Sequence, residues 1–192
     1  MPEKKHKIIL GITGASGALY ARLLLEKIAA LENQVEHCAV IFSANARQVW
    51  KYELDQDPDQ ITWSSRFILY DPNDFFAPPA SGSTGYNSMI ICPCTMGTLG
   101  RIAAGVAGDL MTRAADVMLK ERGKLILVPR ETPFNLIHLN NMKLLTETGA
   151  IICPASPSFY SKPSSTEQLA MTVVDRALSL AGFDFERYRW GE

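Results

Sequence analysis

Residues 7–28, KIILGITGASGALYARLLLEKI, determine the fold that we predict for this chain. Lys7–Ile12 is a short apolar run of the kind that forms a buried parallel strand. A turn of glycine, alanine and hydroxyl-bearing residues follows at Thr13–Gly17. Ala18–Ile28 then has the apolar spacing of a helix. This strand–turn–helix order is typical of the first unit of a parallel α/β sheet.

The same alternation continues along the chain. Further strands are predicted at 35–42, 67–70, 88–92, 124–128 and 149–153. Further helices are predicted at 44–53, 95–104, 110–122, 135–148 and 166–180. We therefore expect one domain, 1–192, with a three-layer Rossmann-like (flavodoxin-like) α/β fold and helices on both faces of a parallel sheet. Residues 71–86 form a long loop, for which we expect a functional role.

Composition and charge exclude several classes of function. The chain has 192 residues and a net charge of −1, which gives no electrostatic indication of nucleic-acid binding. It contains neither an apolar run long enough to span a membrane nor a recognisable signal peptide, so we expect a cytoplasmic protein. The four cysteines are expected to be reduced, and Cys92–Pro93–Cys94 lacks the second pair of ligands that a zinc site needs. No metal site is predicted.

The residues that follow the strands indicate phosphate binding. Ligands of doubly wound sheets bind at the carboxyl ends of the strands. The sequence places Thr13–Gly17, Ser43, Pro93–Thr98 and Arg130–Glu131 at those ends. Hydroxyls, glycines and the amides of helix N-termini are the groups that hold phosphates.

The glycine turn alone leaves its role open. Gly11, Gly14 and Gly17 match neither the dinucleotide fingerprint nor the Walker A loop, and a structural turn without a ligand is an alternative. Ser43 stands where NAD-binding folds place an acidic ribose ligand, which disfavours NAD.

A set of motifs in a fixed order resembles the UbiX-type flavin prenyltransferases. The motifs are TGASGA at 13–18, APPASGS at 77–83, Cys92–Pro93–Cys94, RAADV at 113–117, LKER at 119–122, VPRETP at 128–133 and Phe159–Tyr160. The resemblance covers nearly the whole chain. The chain departs from the family at Thr95, where serine is common, and at Phe75, where tryptophan is frequent.

The resemblance implies a substrate, a product and an assembly. The family binds FMN and uses dimethylallyl mono- or diphosphate as the prenyl donor. Reduced FMN is the acceptor, and the product is prenylated FMN, with a fourth ring joining flavin N5 and C6. UbiD-type decarboxylases, including those of ubiquinone biosynthesis, use this product. A homo-oligomer, typically a dodecamer, with active sites between subunits is implied.

The resemblance also assigns site residues by position. The residues implied to bind FMN are Gly14, Ala15, Ser16, Ser43, Thr95, Met96, Gly97, Thr98 and Arg130. Those implied to bind the donor are Tyr160, Arg176, Phe75, Trp190 and, from a neighbouring subunit, Lys120. Catalytic roles are implied for Ser16, Glu53, Lys120 and Glu131.

Two other functions are alternatives. The first is an FMN-dependent decarboxylase of the phosphopantothenoylcysteine decarboxylase type. The substrate motif of that type, Pro-x-Met-Asn-x-x-Met-Trp, is absent, because no suitably placed proline precedes Asn140–Met142. The second is a non-catalytic flavin-binding or storage module, which would lack a pocket for the donor phosphate.

Overall fold

A computed structural model describes residues 5–61, 64–189 and 191 of the chain. Six parallel strands form one sheet in the order β3-β2-β1-β4-β5-β6. The strands are β1 (His6–Ile12), β2 (Val35–Phe42), β3 (Phe67–Tyr70), β4 (Ser88–Cys94), β5 (Lys124–Pro129) and β6 (Ile151–Ile152). The helices are α1 (Ala18–Ala30), α2 (Ala44–Leu54), α3 (Met96–Ala103), α4 (Leu110–Lys120), α5 (Leu136–Glu147) and α6 (Thr166–Ala181). The predicted fold class is confirmed.

The sheet is covered on both faces. Successive side chains of a strand point to opposite faces. Ile8 and Leu10 of β1 accordingly pack in one apolar cluster with α1, α2 and α6, whereas Ile9 packs in a second cluster with α3 and α4. The central strands are buried throughout, which explains why they appear in the sequence as continuous apolar runs.

The strand order reverses between β1 and β4. β1 pairs with β2 on one side and with β4 on the other. The connection from β1 through α1 to β2 therefore runs in one direction along the sheet, and the connections from β4 to β6 run in the other. A crevice opens at the carboxyl ends of the two strands at such a point.

Most elements differ from the predicted bounds by one or two residues, and the differences in β4, α4 and β6 have a visible cause or consequence. β4 continues through Pro93 to Cys94 rather than ending at Cys92. α4 ends at Lys120 rather than at 122, and Arg122 has a positive φ of 59°, which does not continue a helix. β6 is limited to Ile151–Ile152, following Gly149, whose φ is 102°.

Residues 71–86 form the predicted loop, with two short 3₁₀ turns at Pro78–Ala80 and Gly82–Thr84. The loop is held on α4, because the Arg113 Nε donates to the Ala80 carbonyl at 3.2 Å and the Leu110 amide donates to the Pro72 carbonyl at 2.7 Å. Within the part of the chain that the structure describes, no helix is long and apolar enough to cross a membrane. Cys38, Cys92 and Cys94 are buried free thiols, and burial raises the pKa of each.

The central strands should carry most of the stability. Ile90→Ala in β4 removes a fully buried side chain and should lower the free energy of unfolding by about 2–5 kcal/mol, because it leaves a cavity. Ile68→Ala, on the edge strand β3, is the matched control, since that side chain is 43% exposed. Urea unfolding at fixed protein concentration measures both changes. Equal losses would contradict this account of the core.

Candidate active site

A cavity of about 390 Å³ lies at the carboxyl ends of β1, β2 and β4. We call it the hydroxyl cavity. Its lining consists of Thr13, Gly14, Ser43, Ala44, Asn45, Thr95, Gly97, Thr98 and Arg101. Five of the residues predicted to bind FMN therefore line one space, although they come from three separate segments of the chain.

The hydroxyl of Thr13 joins the loop after β1 to the end of β4. Thr13 Oγ1 donates to the Pro93 carbonyl at 2.6 Å and accepts from the Thr95 amide at 2.9 Å. Thr13 is only 2% exposed, so these bonds are shielded from water. The sequence placed Thr13 in the loop predicted to bind phosphate but did not predict that its hydroxyl joins this loop to β4.

Two side chains of the cavity also cap helices. Thr95 Oγ1 accepts from the Thr98 amide at 3.1 Å and lies 3.0 Å from Thr98 Oγ1. Ser43 Oγ accepts from the Ala46 amide at 3.2 Å, which caps α2. The Thr95 hydroxyl donates to Thr98 Oγ1, so the hydroxyl protons of Thr98 and Ser43 are the ones available to a ligand. Hydroxyl donors thus lie beside the first amides of α2 and α3.

Two glycines shape the cavity in different ways. A Cβ on Gly14 would lie 2.6 Å from the Asn45 Cβ, so the loop packs against α2 only because this residue is glycine. A Cβ on Gly97 would meet no protein atom within 4 Å. Gly97 lies in the first turn of α3, where backbone amides have no intrahelical acceptor. Open backbone, free helix amides and hydroxyls together suit a phosphate group.

The N-terminus of α1, in contrast, is bound to a side chain of the same chain. The Glu53 carboxylate accepts from the Gly17 amide at 2.9 Å and from the Ala18 amide at 2.7 Å. On the same loop, the Arg130 Nε donates to the Ser16 carbonyl at 3.0 Å. Three predicted site residues, Ser16, Glu53 and Arg130, therefore meet at the loop after β1.

A second cavity, of about 620 Å³, lies between the segment after β6 and α6. We call it the arginine cavity, because Arg176, Arg187 and Arg189 line it. Tyr160, which is 67% exposed, belongs to the same segment and stands between the lining residues Ser158 and Ser161. The sequence prediction gave roles to Arg176 and Tyr160 but none to Arg187 or to Arg189, although Arg189 begins the closing segment that the family resemblance covers.

Two residues that line the arginine cavity, Cys153 and Asp175, have shifted pKa values. Burial raises the pKa of the Cys153 thiol, and the positive charge of Arg176 partly opposes this shift. Burial also raises the pKa of Asp175, against the opposing effects of Lys27 and Arg187, and the Lys27 Nζ lies 3.6 Å from Asp175 Oδ1. The cavity therefore combines several cations with partly buried acidic groups.

Lys120 lies at the opposite edge of the sheet from the hydroxyl cavity. It ends α4 four residues before β5 begins, and its Nζ pairs with Glu121 at 3.0 Å. The length of β5, about 20 Å at about 3.3 Å per residue, separates this end from the cavity edge. Lys120 thus stands far from the hydroxyl cavity of its own chain.

The other predicted residues that the structure describes lie at the carboxyl ends of the strands or in the loop 71–86. Glu131 follows β5 at the cavity edge, is exposed, and accepts from the Thr132 amide at 3.0 Å. Phe75 is 45% exposed in the loop 71–86. Ala15 and Met96 are buried. Trp190 lies outside the described residues.

Comparison with known proteins agrees with this geometry. The Flavoprotein family model matches residues 1–178. The flavin prenyltransferase UbiX of Methanocaldococcus jannaschii is 44% identical over 186 residues, which cover 96% of this chain and 98% of that protein. The UbiX of Pseudomonas aeruginosa is 42% identical and covers 97% of this chain and 95% of that protein.

Solved structures give the same result. The crystal structure of AnUbiX in complex with FMN and dimethylallyl pyrophosphate has a TM-score of 0.87 at 40% identity, covering 98% of this chain and 100% of that chain. A dodecameric FMN-dependent UbiX-like decarboxylase from Escherichia coli O157:H7 has a TM-score of 0.86 at 35% identity, covering 95% and 98%. The cypemycin decarboxylase CypD, at 13% identity and a TM-score of 0.60, shares the fold.

The fold and the hydroxyl cavity define the class of this protein, which is that of the flavoproteins. More narrowly, the chain belongs to the UbiX-type flavin prenyltransferase family, as the motifs predicted. This membership favours prenyl transfer over the two alternative functions, a decarboxylase of the phosphopantothenoylcysteine decarboxylase type and a non-catalytic flavin-binding or storage module.

The open space at Gly97 leads to a test of the hydroxyl cavity. Gly97→Ala should leave the fold intact, because its Cβ meets no protein atom and alanine favours a helix. The methyl group should weaken FMN binding by about tenfold or more, since a phosphate must approach this backbone closely. Fluorescence titration with FMN measures the effect.

Gly108→Ala is the matched control, because a Cβ there also meets no atom within 4 Å and Gly108 does not line the cavity. Undiminished FMN affinity in Gly97→Ala would place the phosphate elsewhere.

Proposed function

We propose that this chain, as a single flavin-binding domain, transfers a dimethylallyl group from dimethylallyl mono- or diphosphate to reduced FMN. New bonds form at flavin N5 and C6, and the product is prenylated FMN. The observation that carries this proposal is the presence of two cavities of different chemistry in a chain of this family. One offers hydroxyls and helix amides that suit the FMN phosphate, and the other offers several arginines that suit the donor phosphate.

The hydroxyl cavity is the proposed site of the FMN phosphate. Ser43 and Thr98 donate hydroxyl protons, and Thr95 supports them by donating to Thr98 Oγ1. The first amides of α3, at Met96 and Gly97, add the positive end of a helix dipole. Thr95 keeps the hydroxyl that serine provides in the family. Gly14 and Ala15, in the loop after β1, are also proposed to contact FMN. Arg130 orients the loop through its hydrogen bond to the Ser16 carbonyl.

The arginine cavity is the proposed site of the donor phosphate. Arg176 and the Tyr160 hydroxyl stabilise the leaving oxygens, together with Lys120 of a neighbouring subunit. Charge-assisted hydrogen bonds from fixed cations are strong, and in a site sheltered from water they stabilise the charge that develops on a leaving phosphate. We propose that these cations perform the role that a metal ion has in other prenyl transfers.

The remaining side chains act on protons and on the prenyl cation. Reduced FMN supplies the nucleophile at N5 when it is bound. The aromatic ring of Phe75 favours a developing allyl cation, and Trp190, outside the described residues, is proposed for the same role. The Ser16 hydroxyl relays the proton that leaves N5 to the departing phosphate. Ring closure adds one proton to the prenyl double bond and removes one from C6, and Glu131 or the departing phosphate carries out this exchange. Glu53 supports the site by holding the Gly17 and Ala18 amides.

A homo-oligomer, which we propose to be a dodecamer, completes the site. Lys120 is at the far edge of its own sheet, so only a neighbouring subunit can bring this lysine to the donor phosphate. The surface of α5 supports assembly, because Leu136, Ile137, Leu139 and Leu144 are exposed there. Contiguous exposed apolar side chains mark association surfaces. A related UbiX-like protein is dodecameric.

The proposed product indicates which kind of enzyme would receive it. Prenylated FMN is a cofactor for a second enzyme, and we propose a UbiD-type decarboxylase as its recipient, with ubiquinone biosynthesis as one pathway. We propose the cytoplasm as the location of both proteins, where reduced FMN and prenyl phosphates are available.

The reaction itself is directly testable. Without oxygen, the protein with reduced FMN and dimethylallyl phosphate should yield a flavin that has gained one five-carbon unit in mass spectrometry. A parallel reaction with the diphosphate shows which donor is preferred. Unmodified flavin with both donors would refute prenyl transfer.

Tyr160→Phe should raise the KM for the donor about tenfold, because one hydrogen bond to the charged phosphate is lost, while FMN binding is unchanged. Tyr52→Phe is the control, since Tyr52 is an exposed tyrosine of α2 that lines neither cavity. If Tyr160→Phe behaves like this control, Tyr160 has no role in donor binding.

Sharing of the site between subunits predicts complementation. Lys120→Ala and Arg176→Ala should each lower kcat/KM about a hundredfold or more, because each removes a cation from the developing charge. Co-expression of the two variants should restore activity, since random assembly leaves about one site in four with both cations. Restoration would fail if Lys120 and Arg176 act from the same chain. Lys143→Ala, an exposed lysine of α5 paired with Glu147, should have no effect.

A further inference from the structure

Arg101 gives the hydroxyl cavity a positive charge that Arg130, the cation among the predicted FMN contacts, does not supply, because Arg130 does not line this cavity. Among the described residues that line this cavity, Arg101 is the one with a charged side chain. A phosphate monoester carries about −1.5 to −2 charges at pH 7. Hydroxyls and backbone amides contribute only partial charges, so a full positive charge beside them adds a distinct stabilisation.

The guanidinium is held in a defined position. Arg101 Nη1 donates to Asp109 Oδ2 at 2.6 Å, and Nη2 lies 3.4 Å from Thr98 Oγ1. Thr98 Oγ1 in turn lies 3.0 Å from Thr95 Oγ1. The cation is therefore continuous with the pair of hydroxyls at the start of α3. The Arg101 side chain is 39% exposed, which leaves its remaining N–H groups accessible from the cavity.

Asp109 is itself fixed by α4. Its Oδ1 accepts from the Thr112 amide and from the Thr112 hydroxyl, both at 2.8 Å, and so caps that helix. Oδ2 is thereby directed to Arg101. Burial alone would raise the pKa of Asp109, but the hydrogen bonds from Thr112 and Arg101 outweigh it and hold the pKa below its ordinary value. The carboxylate is thus ionised at neutral pH and holds one side of the guanidinium.

We propose that Arg101 is a phosphate-binding residue of the FMN site and that Asp109 is its positioning residue. The inference rests on the proposed location of the FMN phosphate in the hydroxyl cavity. It predicts that Arg101 distinguishes FMN from riboflavin, because the two flavins differ only in the phosphate. A purely structural ion pair between α3 and α4 would affect the binding of both flavins equally.

Flavin binding separates these possibilities. In fluorescence titrations of the full chain, Arg101→Met should weaken FMN binding about tenfold to a hundredfold, because a charge-assisted hydrogen bond is lost. Riboflavin affinity should change less than twofold. Arg101→Lys should give an intermediate loss, since it keeps the charge but not the planar fork. Raising the salt concentration should lower the preference for FMN in the wild type more than in Arg101→Met.

Asp109→Asn tests the positioning role. Asparagine also caps helices, so α4 should be retained while the ionic bond to Arg101 is lost. FMN affinity should fall by less than in Arg101→Met, with riboflavin unaffected. In the double variant Arg101→Met/Asp109→Asn, the loss should equal that of Arg101→Met alone, because Asp109 acts through Arg101. Arg22→Met, which removes an ion pair to Glu26 on α1, is the control for loss of a paired arginine.

The outcomes distinguish this inference from the site on which it rests. A wild-type protein with no preference for FMN over riboflavin would refute the location of the phosphate. A wild-type preference that Arg101→Met and Arg101→Lys both retain would overturn the role of Arg101 alone. Equal losses for both flavins would assign Arg101 to the structural ion pair. Thermal unfolding without flavin shows whether each variant is folded. If Arg101→Met does not fold, the flavin affinities of Arg101→Lys decide the role of Arg101.

Discussion

The site depends on one buried hydroxyl at the point where the sheet reverses. Thr13 Oγ1 binds the Pro93 carbonyl and the Thr95 amide, so the loop after β1 and the start of α3 are held together. The Thr13 amide adds a backbone hydrogen bond to the same Pro93 carbonyl at 3.3 Å, which strengthens this link. The caps provided by Ser43 and Thr95, the opening at Gly97 and the position of Arg101 are all set relative to it.

This constraint also explains how two helix N-termini at the same edge differ in function. The carboxylate of Glu53 binds the amides that precede and begin α1, and this interaction stabilises the loop rather than a ligand. The start of α3 has a glycine that faces open space and a pair of hydroxyls. An anion is attracted to both termini in principle, but only the second is open to one from outside the chain. The glycine loop thus forms a wall of the site, and α3 provides its positive end.

The cations proposed to bind the donor phosphate lie in two separate places on the chain. The arginine cavity gathers Arg176, Arg187 and Arg189 at one side of the chain, while Lys120 lies at the opposite edge of the sheet. A parallel sheet sends every helix back toward the amino ends of its strands, so residues at helix C-termini cannot reach the chain's own carboxyl edge. Lys120 is therefore far from the carboxyl edge of its own chain, and α5 exposes several apolar side chains.

The sequence by itself determined the order and type of the elements, because apolar periodicity is a local property. It also identified Ser43 and Thr95, since both stand at the carboxyl ends of predicted strands. The motifs determined the family. The end of α4 was less predictable, because Arg122 takes a left-handed conformation, which is uncommon for a residue other than glycine. The bounds of the short strand β6 were also predicted poorly. Only the tertiary structure decided that Glu53 binds Gly17, that Arg130 reaches Ser16 and that Asp109 orients Arg101. These partners come from different elements of the chain, and it is the order of the strands and the packing of the helices that bring them together.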